Sequence, residues 1–172
     1  MNKALLVIDV QEDFLGENRN KKKFTFANPE LLIKNINKAI EKYEKEGYEI
    51  IYVANITPKL SIKRLLFNFA VKGTDGAKLV KGLNIISENY FEKTVPNAFS
   101  NHKLCQLLQE KNIDKVVLCG IDEVGCVGET AKEAVRLDFK ISIIKNAVDT
   151  SFAVAKAVKL REHLKKRFVK YI

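Results

Sequence analysis

KALLVIDV, Lys3 to Val10, carries an unbroken apolar run from Ala4 to Ile8 and then an acid, Asp9. Strict alternation would mark a strand with one wet face. A continuous run marks a strand covered on both faces, as in a parallel sheet between two helical layers. The end of such a strand is where an open parallel sheet places its chemistry, and Asp9 stands there.

Outward from this strand the pattern alternates. Asn28, Pro29 and Glu30 supply an N-cap, a proline for the first helical position and an early acid. Apolar residues then recur at Leu32, Ile33, Ile36, Ala39, Ile40 and Tyr43 until Gly47 stops the helix. Tyr48 to Ala54 reads as a second strand, Tyr90 to Lys93 as a third and Lys115 to Cys119 as a fourth. Lys140 to Ile144 and Arg167 to Tyr171 follow as fifth and sixth. Helices are expected around Leu104 to Leu108, over Cys126 to Leu137 and over Phe152 to Leu164. Between Asn55 and Leu83 the pattern is irregular, with a helical patch near Ile62 to Val71 and a turn at Gly73 to Gly76, a segment suited to roofing a pocket. Strands alternating with helices require right-handed crossovers. The expected fold is α/β: a three-layer αβα, Rossmann-like arrangement on a six-stranded, mostly parallel sheet of order 3-2-1-4-5-6.

That order makes strands one and four neighbours where the winding reverses. Asp9, the loop from Gly120 to Cys126, and Lys93 at the end of the third strand are thereby directed to one crevice. Cys126 stands at the predicted start of a helix, where unpaired N–H groups and the positive end of the dipole favour a thiolate. The plain alternative is a small packed residue, the usual fate of a free cysteine. Cys105 and Cys119 fit that alternative, since one lies beside Leu104 and Leu108 and the other inside an apolar strand. Asp9, set in an apolar run, has the profile of a proton acceptor. Gly125 and Gly128 are expected to leave room for a substrate.

The 172 residues are the size of one domain, and no repeat or interdomain linker appears. An apolar fraction of 47% and a charged fraction of 30% are those of a globular protein. The N-terminal apolar run is interrupted by Asp9 and lacks a small-residue cleavage site, so a cytoplasmic product without membrane attachment is expected. Three cysteines without CxxC or CxxH spacing argue against a disulfide framework or a zinc knuckle. The net charge of +9 is scattered along the chain, and no nucleic-acid motif accompanies it, so no nucleic-acid partner is expected.

ALLVIDVQEDF, GTDG, FEKTVPNAFS, GIDEVGCVGETAKEAV and KISIIKNAVDT, in that order over nearly the whole chain, resemble the isochorismatase-like cysteine hydrolases. The resemblance implies a catalytic aspartate, lysine and cysteine at Asp9, Lys93 and Cys126. It also implies a cis peptide at Ile121–Asp122 and an oxyanion hole of the Asp122 and Cys126 backbone amides. Phe14 and Phe99 match aromatic positions of the family and are candidate pocket walls. The activity implied is hydrolysis of a small-molecule amide through a thioester, without a cofactor. The alternatives are hydrolysis of a vinyl ether, as in isochorismatase itself, and a scaffold that binds a ligand without turnover. A flavodoxin-like binder shares the sheet but would need a phosphate loop where VQEDF stands. Family members assemble as dimers or larger, so a homo-oligomer is expected, with Leu65, Leu66, Phe67 and Phe69 as candidate interface residues.

Three departures bear on substrate. The stretch NITPKLSIK after the second strand lacks the aspartate and histidines that bind metal in nicotinamidase-type members, and His102 and His163 lack ligand spacing, so no metal is expected. Asn97 stands where the family commonly has serine. Asp122 and Glu123 stand where the family has a small apolar residue and a threonine. Two carboxylates beside the site, Glu123 among the pocket candidates, would repel an anion, which favours a neutral or cationic amide.

Overall fold

The computed structural model describes residues 2–60 and 68–172. Six parallel strands, β1 (Asn2–Ile8), β2 (Glu49–Asn55), β3 (Tyr90–Lys93), β4 (Ile113–Gly120), β5 (Lys140–Val148) and β6 (Lys170–Tyr171), form one sheet. Their spatial order is β3-β2-β1-β4-β5-β6. β1 is central, with Ala4 to Ile8 wholly buried as the unbroken apolar run requires.

Helices cover both faces. On one lie the short α1 (Glu12–Leu15) and α2 (Pro29–Lys45), whose Ile36, Ile40 and Tyr43 pack on Leu5, Val7 and Val117. Asn28 caps α2, its side chain accepting from the Leu31 N–H at 2.9 Å. On the other face lie α3 (His102–Glu110), α4 (Gly128–Arg136) and α5 (Val154–Lys165). Their Leu104, Leu108, Ala131, Ala134, Leu160 and Leu164 meet Leu6, Ile8, Leu118 and Ile143. None of the described helices is long and apolar enough to cross a membrane.

Among the described helices, α2 to α5 are each closed by a residue in the left-handed conformation: Gly47, Asn112, Asp138 and Phe168, with φ of 74°, 49°, 59° and 63°. Glycine, asparagine and aspartate are the residues that tolerate this closure; phenylalanine is not.

Phe168 also explains a difference from the sequence reading. The strand predicted over Arg167 to Tyr171 is reduced to Lys170–Tyr171, because the chain first turns back on the end of α5, with the Val169 N–H donating to Leu164 O at 3.1 Å. Likewise the helix predicted from Cys126 begins at Gly128, preceded by a wide turn over Glu123–Val127. The helical patch near Ile62 to Val71 lies mostly outside the described residues, as do Leu65, Leu66 and Phe67.

Candidate active site

Register sets the site. Ile8 pairs with Val53 on one side and Gly120 on the other, so Asp9, Asn55 and the loop after β4 leave the sheet together. Lys93, the last residue of β3, pairs with Asn55 and reaches over the end of β2. Asp9 adopts a left-handed φ of 55°, which aspartate tolerates, and its N–H donates to Val53 O at 2.8 Å. The Lys93 ammonium lies 2.8 Å from Asp9 Oδ2 and 3.2 Å from Cys126 Sγ. Asp9 and Lys93 are buried, and Asp9 Oδ1 is buried without a hydrogen-bond donor among the described residues. Three side chains remote in sequence thus meet around one ammonium.

Their electrostatics differ from the helix-start expectation for Cys126. Burial pushes the thiol up and the carboxylate of Asp9 adds to it, against the opposing pull of Lys93. Cys126 therefore rests as a neutral thiol beside a carboxylate. Burial presses the Lys93 ammonium towards neutrality, but Asp9 and then Cys126 outweigh it, and its pKa stands above the ordinary lysine value. Burial alone pushes Cys119 up, and Cys105 is raised chiefly by burial.

The nucleophile loop is held by its own acids. Gly120, at φ 110°, runs so close to β1 that a Cβ would stand 2.0 Å from Ile8 O, so only glycine fits. The Ile121–Asp122 peptide is cis. The Asp122 carboxylate accepts from the Val124 N–H at 2.9 Å, from the Ser151 N–H and hydroxyl at 2.8 and 2.7 Å, and from the Thr150 hydroxyl. Glu123, 1% exposed, receives Arg161 of α5 in a two-pronged ion pair at 2.7 and 2.6 Å. Glu123 is neutralised by Arg161 and lies outside the cavity, so the repulsion expected of it towards an anionic substrate is withdrawn; Asp122 has only neutral donors and keeps its charge in the cavity wall. Gly128 likewise leaves room for Leu160 and Glu123 O rather than for a substrate, a Cβ there falling 2.8 and 2.7 Å from them.

A cavity of about 370 Å³ opens onto Asp9 and Cys126. Phe14 lines it, with Phe24, Phe26, Phe69 and Phe152; Phe14, Phe24 and Phe69 meet edge to face at 5.0 to 5.5 Å between centroids. Phe99 does not line it. Its ring stacks on Phe139 at 5.5 Å in the core of the opposite face, because its short turn (Ala98–Ser100) points it beneath the sheet. Glu123 does not line it either, being drawn away by Arg161. Phe69, a candidate for a subunit interface, is a cavity wall.

Sequence reasoning missed Phe24, Phe26 and Phe152; two aromatics interrupting the basic run KKKFTF were the available signal. It also missed Gln11, fully buried, whose side-chain amide donates to Asn55 O and Ala77 O and accepts from the Asn55 N–H, tying the ends of β1 and β2. Among the described residues no three His, Cys, Asp or Glu side chains converge as a metal site. The end of β2 and the two positions after it offer Asn55, Ile56 and Thr57, a donor set that does not suit zinc.

A parallel doubly wound sheet with an acid, an ammonium and a thiol meeting beyond its carboxyl ends defines a class of α/β proteins with a cysteine site at a cavity. The family model described as the Isochorismatase domain matches residues 3–172, and the chain belongs to that family of hydrolases. It is 30% identical over 159 residues to a probable inactive nicotinamidase of Arabidopsis thaliana, covering 85% of this chain and 80% of that one. It is 27% identical over 152 residues to the uncharacterized isochorismatase family protein YddQ of Bacillus subtilis, covering 88% and 79%. The crystal structure of a pyrazinamidase/nicotinamidase from Streptococcus mutans superposes with a TM-score of 0.84 at 25% identity, covering 99% of this chain and 100% of that one.

Proposed function

We propose that the protein is a cysteine-dependent hydrolase of a small neutral amide, working through a thioester. The observation that carries this is the Lys93 ammonium bridging the Asp9 carboxylate and the Cys126 sulfur at the edge of an aromatic cavity. Asp9 takes the thiol proton as the sulfur attacks the amide carbon, and Lys93 stabilises the thiolate as it forms. The tetrahedral oxyanion is received by the backbone N–H groups of Asp122 and Cys126. Asp9 returns the proton to the departing nitrogen, the C–N bond breaks, and a thioester remains. Asp9 then deprotonates a water, which releases the carboxylic acid and restores the thiol. A resting neutral thiol suits this order of events, because the proton leaves when the substrate is in place.

The amide is supported by the name of the Streptococcus mutans neighbour. Neutrality now rests on the cavity, since none of its described lining residues is a lysine, arginine or histidine and Lys93 is engaged by Asp9. An anion such as isochorismate would be buried there without a counter-charge.

The test is a screen of small amides for ammonia release with Cys126→Ala as the blank. Turnover by the wild type should fall by roughly 10⁴-fold or more in the variant. Undiminished activity in Cys126→Ala would remove the scheme. A second reading, ligand binding without turnover, is favoured by the relative described as a probable inactive nicotinamidase. Under it, no amide is turned over although ligands still occupy the cavity.

A further inference from the structure

At the amino-terminal pole of the sheet, opposite the thiol, lies a second cavity of about 440 Å³. Lys115, Lys140, Arg167 and Lys170 are among its lining residues, with Phe139 and Phe168. The register explains why the cations gather. Lys115 of β4 pairs with Lys140 of β5, and Ser142 of β5 pairs with Lys170 of β6, so three adjacent strands turn a lysine to the same face. Like charges directly opposite on neighbouring strands repel. Here no described carboxylate relieves them: none of the four cations has an acidic partner within ion-pair distance among the described residues, and Lys115 has only the Tyr48 ring, 5.9 Å away.

Two further observations point to an occupant. Ser142 lines the cavity at 4% exposure, and its hydroxyl makes no hydrogen bond with any described residue. That oxygen is not sealed from solvent, so an occupant of the cavity can take it as donor or acceptor. Phe168 holds the left-handed position that closes α5, where the other three closures use Gly47, Asn112 and Asp138, and its ring is 90% exposed on the cavity rim. A large ring kept in a disfavoured conformation and left in water is explained if a flat apolar partner lies on it.

We propose that this pole holds a binding site for a small aromatic phosphate of the mononucleotide class. The phosphate takes the lysines, Arg167 and the Ser142 hydroxyl, and the ring stacks on Phe168. The volume is that of a small-molecule pocket, typically ~300–1,000 Å³, rather than an open stripe for a nucleic-acid strand.

The experiment is calorimetric titration of the full chain with adenosine 5′-monophosphate, inorganic phosphate and adenosine. Expected is one saturable equivalent of the nucleotide, bound at least tenfold tighter than either fragment. Lys140→Glu and Lys170→Glu should each weaken the nucleotide at least tenfold. Ser142→Ala should weaken nucleotide and phosphate alike, whereas Phe168→Ala should weaken only the nucleotide. Cys126→Ala, at the opposite pole, should leave nucleotide binding unaltered while it abolishes amide turnover, which separates this site from the proposed catalytic one. The proposal is overturned by absence of saturable nucleotide binding, by undiminished binding in both lysine variants, or by phosphate binding as tightly as the nucleotide. It is equally overturned if a single-stranded RNA binds through these lysines while the mononucleotide does not.

Discussion

Asp9 and Cys126 oppose each other electrostatically in the resting protein, and that opposition is measurable. The carboxylate holds the proton on the sulfur while Lys93 draws it off. Asp9→Asn removes the first influence and leaves the second. The variant is expected to lose turnover by about 10³-fold or more, since the proton acceptor is gone, yet its Cys126 should alkylate faster with iodoacetamide at pH 7. In the wild type the alkylation rate should climb with pH through ~9 without a plateau, because the thiol pKa is pushed above its usual value. Mass spectrometry of the labelled peptide separates Cys126 from Cys105, whose sulfur donates to Phe99 O at 3.2 Å, and from the buried Cys119. Slower labelling of Cys126 in Asp9→Asn would contradict the resting thiol. Asp9 was approachable from residue type and strand position, whereas Lys93, one lysine among many, stood out only through its place in the pattern and the family resemblance. The direction of the Cys126 shift was not approachable, because it depends on burial by residues far away in sequence.

Two elements owe their positions to single side chains. The wide turn Glu123–Val127 carries Cys126 and is bound to α5 by the Glu123–Arg161 pair. Arg161→Met strands a buried carboxylate and should cost about 2–3 kcal/mol in urea unfolding, below the ~3–5 of a wholly buried pair because Arg161 is partly exposed. Glu123→Met together with Arg161→Met should recover most of it; a double variant no more stable than the single one would show that packing, not charge, is at stake. At the end of α5, Phe168→Gly relieves the left-handed backbone with little packing lost, and should raise stability by about 1 kcal/mol, a few degrees in thermal melting. A fall in melting temperature would mean that the ring packs more than its exposure indicates. The loop acids were legible as residues near the site, but the part of Glu123 was misread: a carboxylate's partners cannot be known before α5 is placed against it.

The molecule has two chemically distinct poles joined by the buried run Ala4 to Ile8 of β1. Beyond the carboxyl ends lies an aromatic cavity without a described cation in its wall; beyond the amino ends lie Lys115, Lys140, Arg167 and Lys170. Among amides of equal size, those bearing a carboxylate should show kcat/KM at least tenfold below their neutral counterparts, since ~1.4 kcal/mol of uncompensated desolvation suffices for that factor. Steady-state kinetics over paired substrates tests it, and a preference for the carboxylate would demand a counter-charge outside the described lining. The net charge of +9, diffuse along the sequence, was a weak clue by itself. Only strand register gathers three of its lysines on one face.

What the linear chain determined was the alternation of buried strands and amphipathic helices, hence the sheet order, and hence the meeting of Asp9, Lys93 and Cys126. These follow from local periodicity and the handedness of crossovers, which act over short spans of sequence. What tertiary structure alone decided was which aromatic faces the cavity and which the core, which acid is satisfied, and where a hydroxyl is left without a partner. Phe14 and Phe99 are alike in sequence context and opposite in placement. Side-chain environment is set by contacts between elements distant in the chain, and no local pattern encodes them.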